Sequence, residues 1–448
     1  MSNTGKLVVI GGGVAGVNAA RAARNEYPEA HITLLSKERH PFYNKIALNS
    51  YITRKRPLSH MHFYPADSLY EQRIDARLGA TVETILPGRH IVALAGGEEV
   101  GYDKLVLATG AVPFIPPIPG IDAPEVHTLW SLEDAIRIRE SLTEARNVSI
   151  IGGGVLGVET AVDLCEMGVR ATIIEQQSSV LPLHLDDTSA TLYEAFLRES
   201  GVRTNLGVSI DRIVQGKKGV TIHTSDGERN EFSLVLLTAG VKPNPALAEA
   251  AGIRTNRGLV VDRYMNTSKP DILACGNCVE IDGEPSFLWN PAMAQGQAAG
   301  TNAFENKVRF DATPVAIHLK TPKMPLFVIG RSGPAEPGDR VITDRSGSEY
   351  RSVCIDAQGR LRSATFLERT EGCYEIEQAL MRSRPVSNSL IDGGSIDEII
   401  RELSTRKGDE AYDVRGWVCQ MCGFSHEGSS APEICPVCGV GKDQFKVA

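Results

Sequence analysis

The feature that most restricts this chain is a glycine-rich turn that occurs twice in the same setting. In KLVVIGGGVAGVNAARAARN, residues 6–25, an apolar strand runs into Gly11-x-Gly13-x-x-Gly16 and on into an alanine-rich helical pattern; a second strand, HITLLS, follows at 31–36. In such a unit one glycine permits the tight turn, one lets backbone approach a pyrophosphate, and one lets helix and strand pack closely, with the helix N-terminus facing the phosphates. The unit returns in NVSIIGGGVLGVETAVDLCEMGVRATIIEQ, residues 147–176, with Gly152, Gly154 and Gly157. A glycine turn alone says little. Two complete strand, turn, helix and strand units imply two dinucleotide sites on an α/β framework.

Glu175 closes the second strand of the second unit, where a carboxylate accepts from both ribose hydroxyls and repels a 2'-phosphate. No arginine follows in EQQSS, so the second site favours NADH over NADPH. In the first unit the strand ends at Ser36, and Glu38 is the candidate for the adenosine ribose. Two further strands end in small-residue turns, YDKLVLATG (102–110) and FSLVLLTAG (232–240). TSKPDILACGNC (267–278) is another strand ending at a glycine, and WNPAMAQGQAAG (289–300) reads as a helix capped by Asn290 with Pro291 in its first position.

Length and charge set the remaining bounds. At about 150 residues per domain, 448 residues allow roughly three domains besides any small module. A net charge of -8, with no basic run longer than TRKR, excludes a nucleic-acid surface. The opening MSNTGKLVVIGGG carries no signal-like segment, and no long apolar run suggests a membrane span; the expected location is the cytoplasm. Of nine cysteines, Cys165, Cys275, Cys278, Cys354 and Cys373 are scattered and expected to be reduced packing residues. Cys275 and Cys278 form a C-x-x-C of their own, for which a redox dithiol is the alternative to packing.

The other four cysteines stand in WVCQMCGFSHEGSSAPEICPVCGVGKDQF, residues 417–445. Cys419, Cys422, Cys435 and Cys438 form two C-x-x-C pairs able to meet at one tetrahedral metal, iron or zinc. A charged link, STRKGDE (404–410), precedes this knuckle.

Taken in order, the two glycine fingerprints, the A-T-G at 108–110 and the A-C-G-N at 274–277 resemble the two-dinucleotide-binding flavoproteins, the pyridine nucleotide-dependent flavin reductases, over residues 1–400. That resemblance implies FAD at the first fingerprint, with Gly11, Gly13, Gly16, Glu38, Thr109, Gly110, Gly276 and Asn277 as contacts, and NADH at Gly152, Gly154, Gly157 and Glu175. The family places an aspartate, which binds the flavin ribityl chain, where this sequence has Asn277; an amide can still bond to a hydroxyl. The segment ERHPFYNKIALNSYIT (38–53) has no cysteine, which argues against disulfide-reductase or peroxidase chemistry. PFYNKIAL instead resembles rubredoxin reductases and the flavin module of NADH nitrite reductases, and implies that Lys45 contacts FAD. Glu159 resembles the family's glutamate near the nicotinamide. The knuckle resembles the compact rubredoxin domain of rubrerythrins, which tips the metal from zinc toward a single redox iron.

The fold expected is therefore α/β, with an FAD-binding Rossmann-like domain (1–112 and 241–310), an NAD(P)H-binding one (113–240), an α+β C-terminal domain (311–403) that often supports a homodimer in this family, and a rubredoxin-like domain (412–448). The expected function is passage of electrons from NADH through FAD to the fused iron centre and on to an acceptor the sequence does not name. The alternatives are an NADH oxidase, or a redox-sensing flavoprotein, each with a structural zinc knuckle.

Overall fold

The computed structural model describes residues 4–62, 68–319, 321, 323–330, 336–391, 393–405, 415–419, 425–428, 430–433, 442 and 445–447. The chain divides into two compact units: residues 1–47, 56–114 and 241–312 form one, and residues 48–55, 115–240 and 313–448 the other.

The first unit is built on a five-stranded parallel sheet in the order Ile272–Ala274, Lys104–Leu107, Lys6–Ile10, His31–Ser36 and Ile74–Leu78. The inner strands are largely apolar because they are buried on both faces, as inner parallel strands must be. The register aligns Ile10 with Leu35 and Leu107, and Leu107 with Ala274. Gly11, Ser36, Ala108 and Cys275 therefore emerge together at the carboxyl edge of the sheet. The first strand lies between the second and the fourth, so its carboxyl end is the switch point where ligands of open α/β sheets bind. The helices Val14–Glu26 and Trp289–Thr301 touch backbone to backbone: a Cβ on Gly296 would stand 2.2 Å from the Ala15 carbonyl oxygen, and one on Gly300 2.1 Å from that of Ala19. The Tyr27 hydroxyl donates to Thr301 O at 2.7 Å and ties the far ends of the same pair.

The second unit repeats the design. Its parallel sheet runs Arg203–Leu206, Arg170–Glu175, Asn147–Ile151, Leu234–Leu237 and Val126–Thr128, with Ile151 level with Ile174 and Leu237. A separate five-stranded antiparallel sheet is formed by Ile317–Leu319, Leu326–Gly330, Leu361–Leu367, Glu349–Ile355 and Arg340–Ser346, and the helices Cys373–Met381 and Ile396–Thr405 share its core with Phe327, Val353 and Phe366. An antiparallel sheet with helices packed on it is the α+β arrangement expected of this region. Its most buried cation among the described residues, Arg351, is 2 % exposed, lies over the Phe366 ring, and donates to Asp344 at 2.5 Å and Asp397 at 2.7 Å. Residues 48–55 join this unit through Asp163: Asn49 Nδ2 donates to it at 2.8 Å, and Lys55 Nζ at 2.7 Å, while also reaching Glu166 at 2.8 Å. Near the end of the chain Arg415–Cys419 pairs antiparallel with Ser425–Gly428 and with Phe445–Val447.

One local expectation is corrected. The helix expected to be capped by Asn290 begins at Trp289, with Leu288 in extended conformation as the cap and no side-chain acceptor. Pro291 then falls in the first turn, which tolerates it because the N–H groups there have no partner within the helix.

Candidate functional site: two dinucleotide cradles

At the carboxyl edge of the first sheet, Gly11 takes φ +118°, and a Cβ there would lie 2.1 Å from Ala108 O. A Cβ on Gly16 would stand 1.9 Å from Gly11 O, so the helix sits against the turn as closely as backbone allows. Gly13 is different. It is the helix cap, extended at φ -80° and ψ -174°, offers no side-chain cap, and a Cβ on it would meet nothing within 4 Å. The N–H groups of the first helical turn thus face open space in front of Gly13, as an anion site requires.

The candidates around this cradle fall on the same unit. Glu38 and Lys45, named separately as flavin contacts, pair with each other at 2.8 Å, and the Lys45 ammonium also stands 5.5 Å from the centre of the Tyr43 ring. Phe42 stacks on Trp289 with centroids 6.1 Å apart, which brings the PFYNKIAL segment to the start of the Trp289–Thr301 helix. Thr109 donates to Asn244 O at 2.9 Å and Gly110 O accepts from Asn244 N at 3.0 Å, pinning the A-T-G turn. Asn277 Oδ1 is buried and meets no hydrogen-bond partner among the described residues. A buried acceptor left open is costly unless a ligand supplies the donor. Together with the open face of Gly13, it shows that the residues present fit a dinucleotide with a hydroxyl-bearing chain such as FAD.

The second cradle has the same build. Gly152 has φ +111°, and a Cβ on Gly157 would stand 2.1 Å from Gly152 O and 2.8 Å from Thr238 Oγ1. Thr238, which the sequence reading passed over within LTAG, donates to Gly152 O at 3.0 Å and locks the turn to the neighbouring strand end. Gly154, the helix cap, lies at φ -74° and ψ -176°, and a Cβ on it would meet nothing within 4 Å. Glu175 is held at the turn: its Oε2 accepts from Gly153 N at 2.7 Å and its Oε1 from Gln177 N at 2.8 Å. Each oxygen keeps a second lone pair for a ribose hydroxyl, so the set fits NAD(H). Glu159 is half-buried on the Val155–Glu166 helix. Burial raises the pKa of the Tyr193 phenol, the Thr321 hydroxyl opposes this, and the Glu159 carboxylate adds to the rise.

Cys275 and Cys278 are fully buried, both thiols are pushed up by burial, and Cys278 Sγ donates to Cys275 O at 3.2 Å. Held neutral inside the core, they behave as packing residues. Of the metal-ligand candidates, the Cys419 backbone belongs to the Arg415–Cys419 strand, while its side chain and Cys422, Cys435 and Cys438 lie outside the described residues. Four cysteines in two C-x-x-C pairs are a donor set suited to iron or zinc.

Residues 5–301 match the family model described as pyridine nucleotide-disulphide oxidoreductase. The chain belongs to that family. It is an NAD(P)H-dependent oxidoreductase, and residues 417–446 match a second model, the rubredoxin-like domain of rubrerythrin. Among its relatives is the nitric oxide reductase FlRd-NAD(+) reductase of Escherichia coli O7:K1, 31 % identical over 355 residues that cover 79 % of this chain and 93 % of that one. The fold is similar to that of the putidaredoxin reductase in its covalent complex with putidaredoxin (TM-score 0.82, 24 % identity, covering 91 % of this chain and 99 % of that one). It is also similar to the NADH:rubredoxin oxidoreductase of Clostridium acetobutylicum (TM-score 0.73, 24 % identity, 89 % and 100 %). At these identities the two structures speak for the fold alone.

Proposed function

We propose that this chain is an NADH-dependent FAD oxidoreductase that passes electrons to its own C-terminal single-iron centre and on to a separate redox protein. The observation that carries the reading is the joining, in one chain, of two open glycine cradles and a four-cysteine rubredoxin-like segment. The name of a relative supports it: the Escherichia coli protein is a nitric oxide reductase FlRd-NAD(+) reductase.

On this reading Gly11, Gly13, Gly16, Glu38, Lys45, Thr109, Gly110, Gly276 and Asn277 hold FAD; Gly152, Gly154, Gly157 and Glu175 hold NADH; and Cys419, Cys422, Cys435 and Cys438 bind one iron. Bound FAD accepts a hydride and can release electrons singly, which matches a two-electron donor to a one-electron iron site. Lys45, oriented by Glu38, supplies positive charge to the flavin's phosphates or ring oxygens, and Glu159 positions the nicotinamide. Residues 1–112 with 241–310 then serve FAD, 113–240 serve NADH, 311–403 form the interface domain and 412–448 the acceptor domain, in a cytoplasmic protein. Each parallel sheet carrying one fingerprint supports this division.

Cys419→Ala tests the reading. Under anaerobic conditions NADH should still reduce the flavin, while reduction of an external rubredoxin falls at least about a hundredfold. Unchanged rubredoxin reduction would contradict the proposal. NADH-driven oxygen consumption that survives deletion of residues 412–448 would point instead to an oxidase.

A further inference from the structure

We infer that Gln295, a residue with no place in either fingerprint, is a positioning residue for the flavin site, acting through the Gly276–Asn277 turn. The inference rests on the FAD reading of the first cradle. Gln295 lies inside the Trp289–Thr301 helix, is 4 % exposed, and accepts from Gly276 N at 2.8 Å through its side-chain oxygen. Its own backbone has little freedom, because the next residue, Gly296, is pressed against the carbonyl of Ala15 in the first turn of the fingerprint helix. Gly276 is confined from the other side: at φ +82°, a Cβ on it would stand 2.6 Å from Ala15 Cβ. The following residue, Asn277, carries the buried oxygen that meets no partner among the described residues.

One amide oxygen thus fastens the turn that presents Asn277 to a helix that is itself fixed against the fingerprint. Loss of that oxygen leaves the Gly276 N–H buried and unsatisfied, and the cheapest relief is for the turn to shift. Asn277 shifts with it. Gln295 touches no cofactor atom in this account; it holds in place the residue that does.

The test measures FAD release from the purified full-length holoprotein, by recovery of free-flavin fluorescence after dilution. The chains compared are wild type, Q295M, Q295N, N277A and the double variant N277A/Q295M. Q295M, close in volume but without an acceptor, should release FAD about tenfold faster. Q295N, whose oxygen is one methylene short, should release FAD several-fold faster, and it carries the test if Q295M does not accumulate as folded protein.

In the N277A background Q295M should add less than about twofold, because the residue through which it acts is gone. Wild-type release rates in Q295M and Q295N would overturn the inference, as would N277A and Q295M effects that simply multiply, the mark of an independent packing role. A purified protein that holds no flavin would overturn the FAD reading and this inference together. A flavin-bound protein indifferent to Gln295 would overturn the inference alone.

Discussion

The two glycines that flank the second cradle separate binding from folding, and Gly154→Ala is the cleaner perturbation. Gly154 is extended, at φ -74° and ψ -176°, a conformation alanine adopts freely, and its added methyl would meet nothing within 4 Å. In the protein without nucleotide the change should be neutral or stabilising by about 0.4–1 kcal/mol, since alanine narrows the unfolded ensemble. On the proposed reading the same methyl stands where the NADH phosphates approach the helix start. Losing one hydrogen bond to a charged phosphate is worth about 1.5–3 kcal/mol, which makes the NADH dissociation constant about 10- to 150-fold larger.

Gly157→Ala is the control. Its methyl would stand 2.1 Å from Gly152 O, so the turn must move, at a cost of about 1–3 kcal/mol or more. Thermal unfolding and an NADH titration of each variant read the two effects apart. The reasoning is refuted if Gly154→Ala binds NADH as wild type does, or if it lowers the unfolding temperature as far as Gly157→Ala.

Two further outcomes follow from particular contacts. Glu175→Ala should raise the KM for NADH at least about tenfold, since two hydroxyl partners are lost, and should narrow the preference over NADPH; a preference left intact would mean that another group selects the cofactor. Asp397 is held below the usual carboxylate range, first by its hydrogen bond from Arg351 and then, against the burial that opposes it, by the charges of Arg351 and Arg369. A lowered pKa contributes stability that is complete above the unfolded value of about 4 and is lost as the pH falls through the folded one. The difference in unfolding temperature between wild type and Asp397→Asn should therefore be present at neutral pH and shrink toward pH of about 3; a gap of equal size at both would show that the pair contributes nothing through ionisation.

Both cradles were legible because their chemistry forces local sequence: a turn in which a Cβ on Gly16 would stand 1.9 Å from Gly11 O admits only glycine, and the strand before it must be apolar on both faces. Strand ends at Ser36 and Glu175 fell where the pattern placed them. What escaped were the contacts between segments distant in sequence. The pairing of Lys45 with Glu38 joins two residues that were read one at a time. Asp163 gathers Asn49 and Lys55 from residues 48–55, with no periodic signal on either side. Gly296 and Gly300 did carry a signal, four residues apart in AQGQAAG, the spacing that lets a helix lie against another backbone to backbone. Gln295 had none, since a glutamine inside an alanine-rich helix is ordinary until its partner is seen. Asn290 misled because capping preference is a statistical pull, and here the cap position falls two residues earlier, at Leu288, without a side-chain acceptor.

The most direct test of the central claim is an anaerobic titration of the purified full-length protein with NADH, following the visible spectrum and counting electrons accepted per chain. The account requires three, two on the flavin and one on an iron held by the four terminal cysteines. Bleaching of the flavin alone, complete at two electrons, would contradict it and leave the C-terminal knuckle without a part in electron transfer.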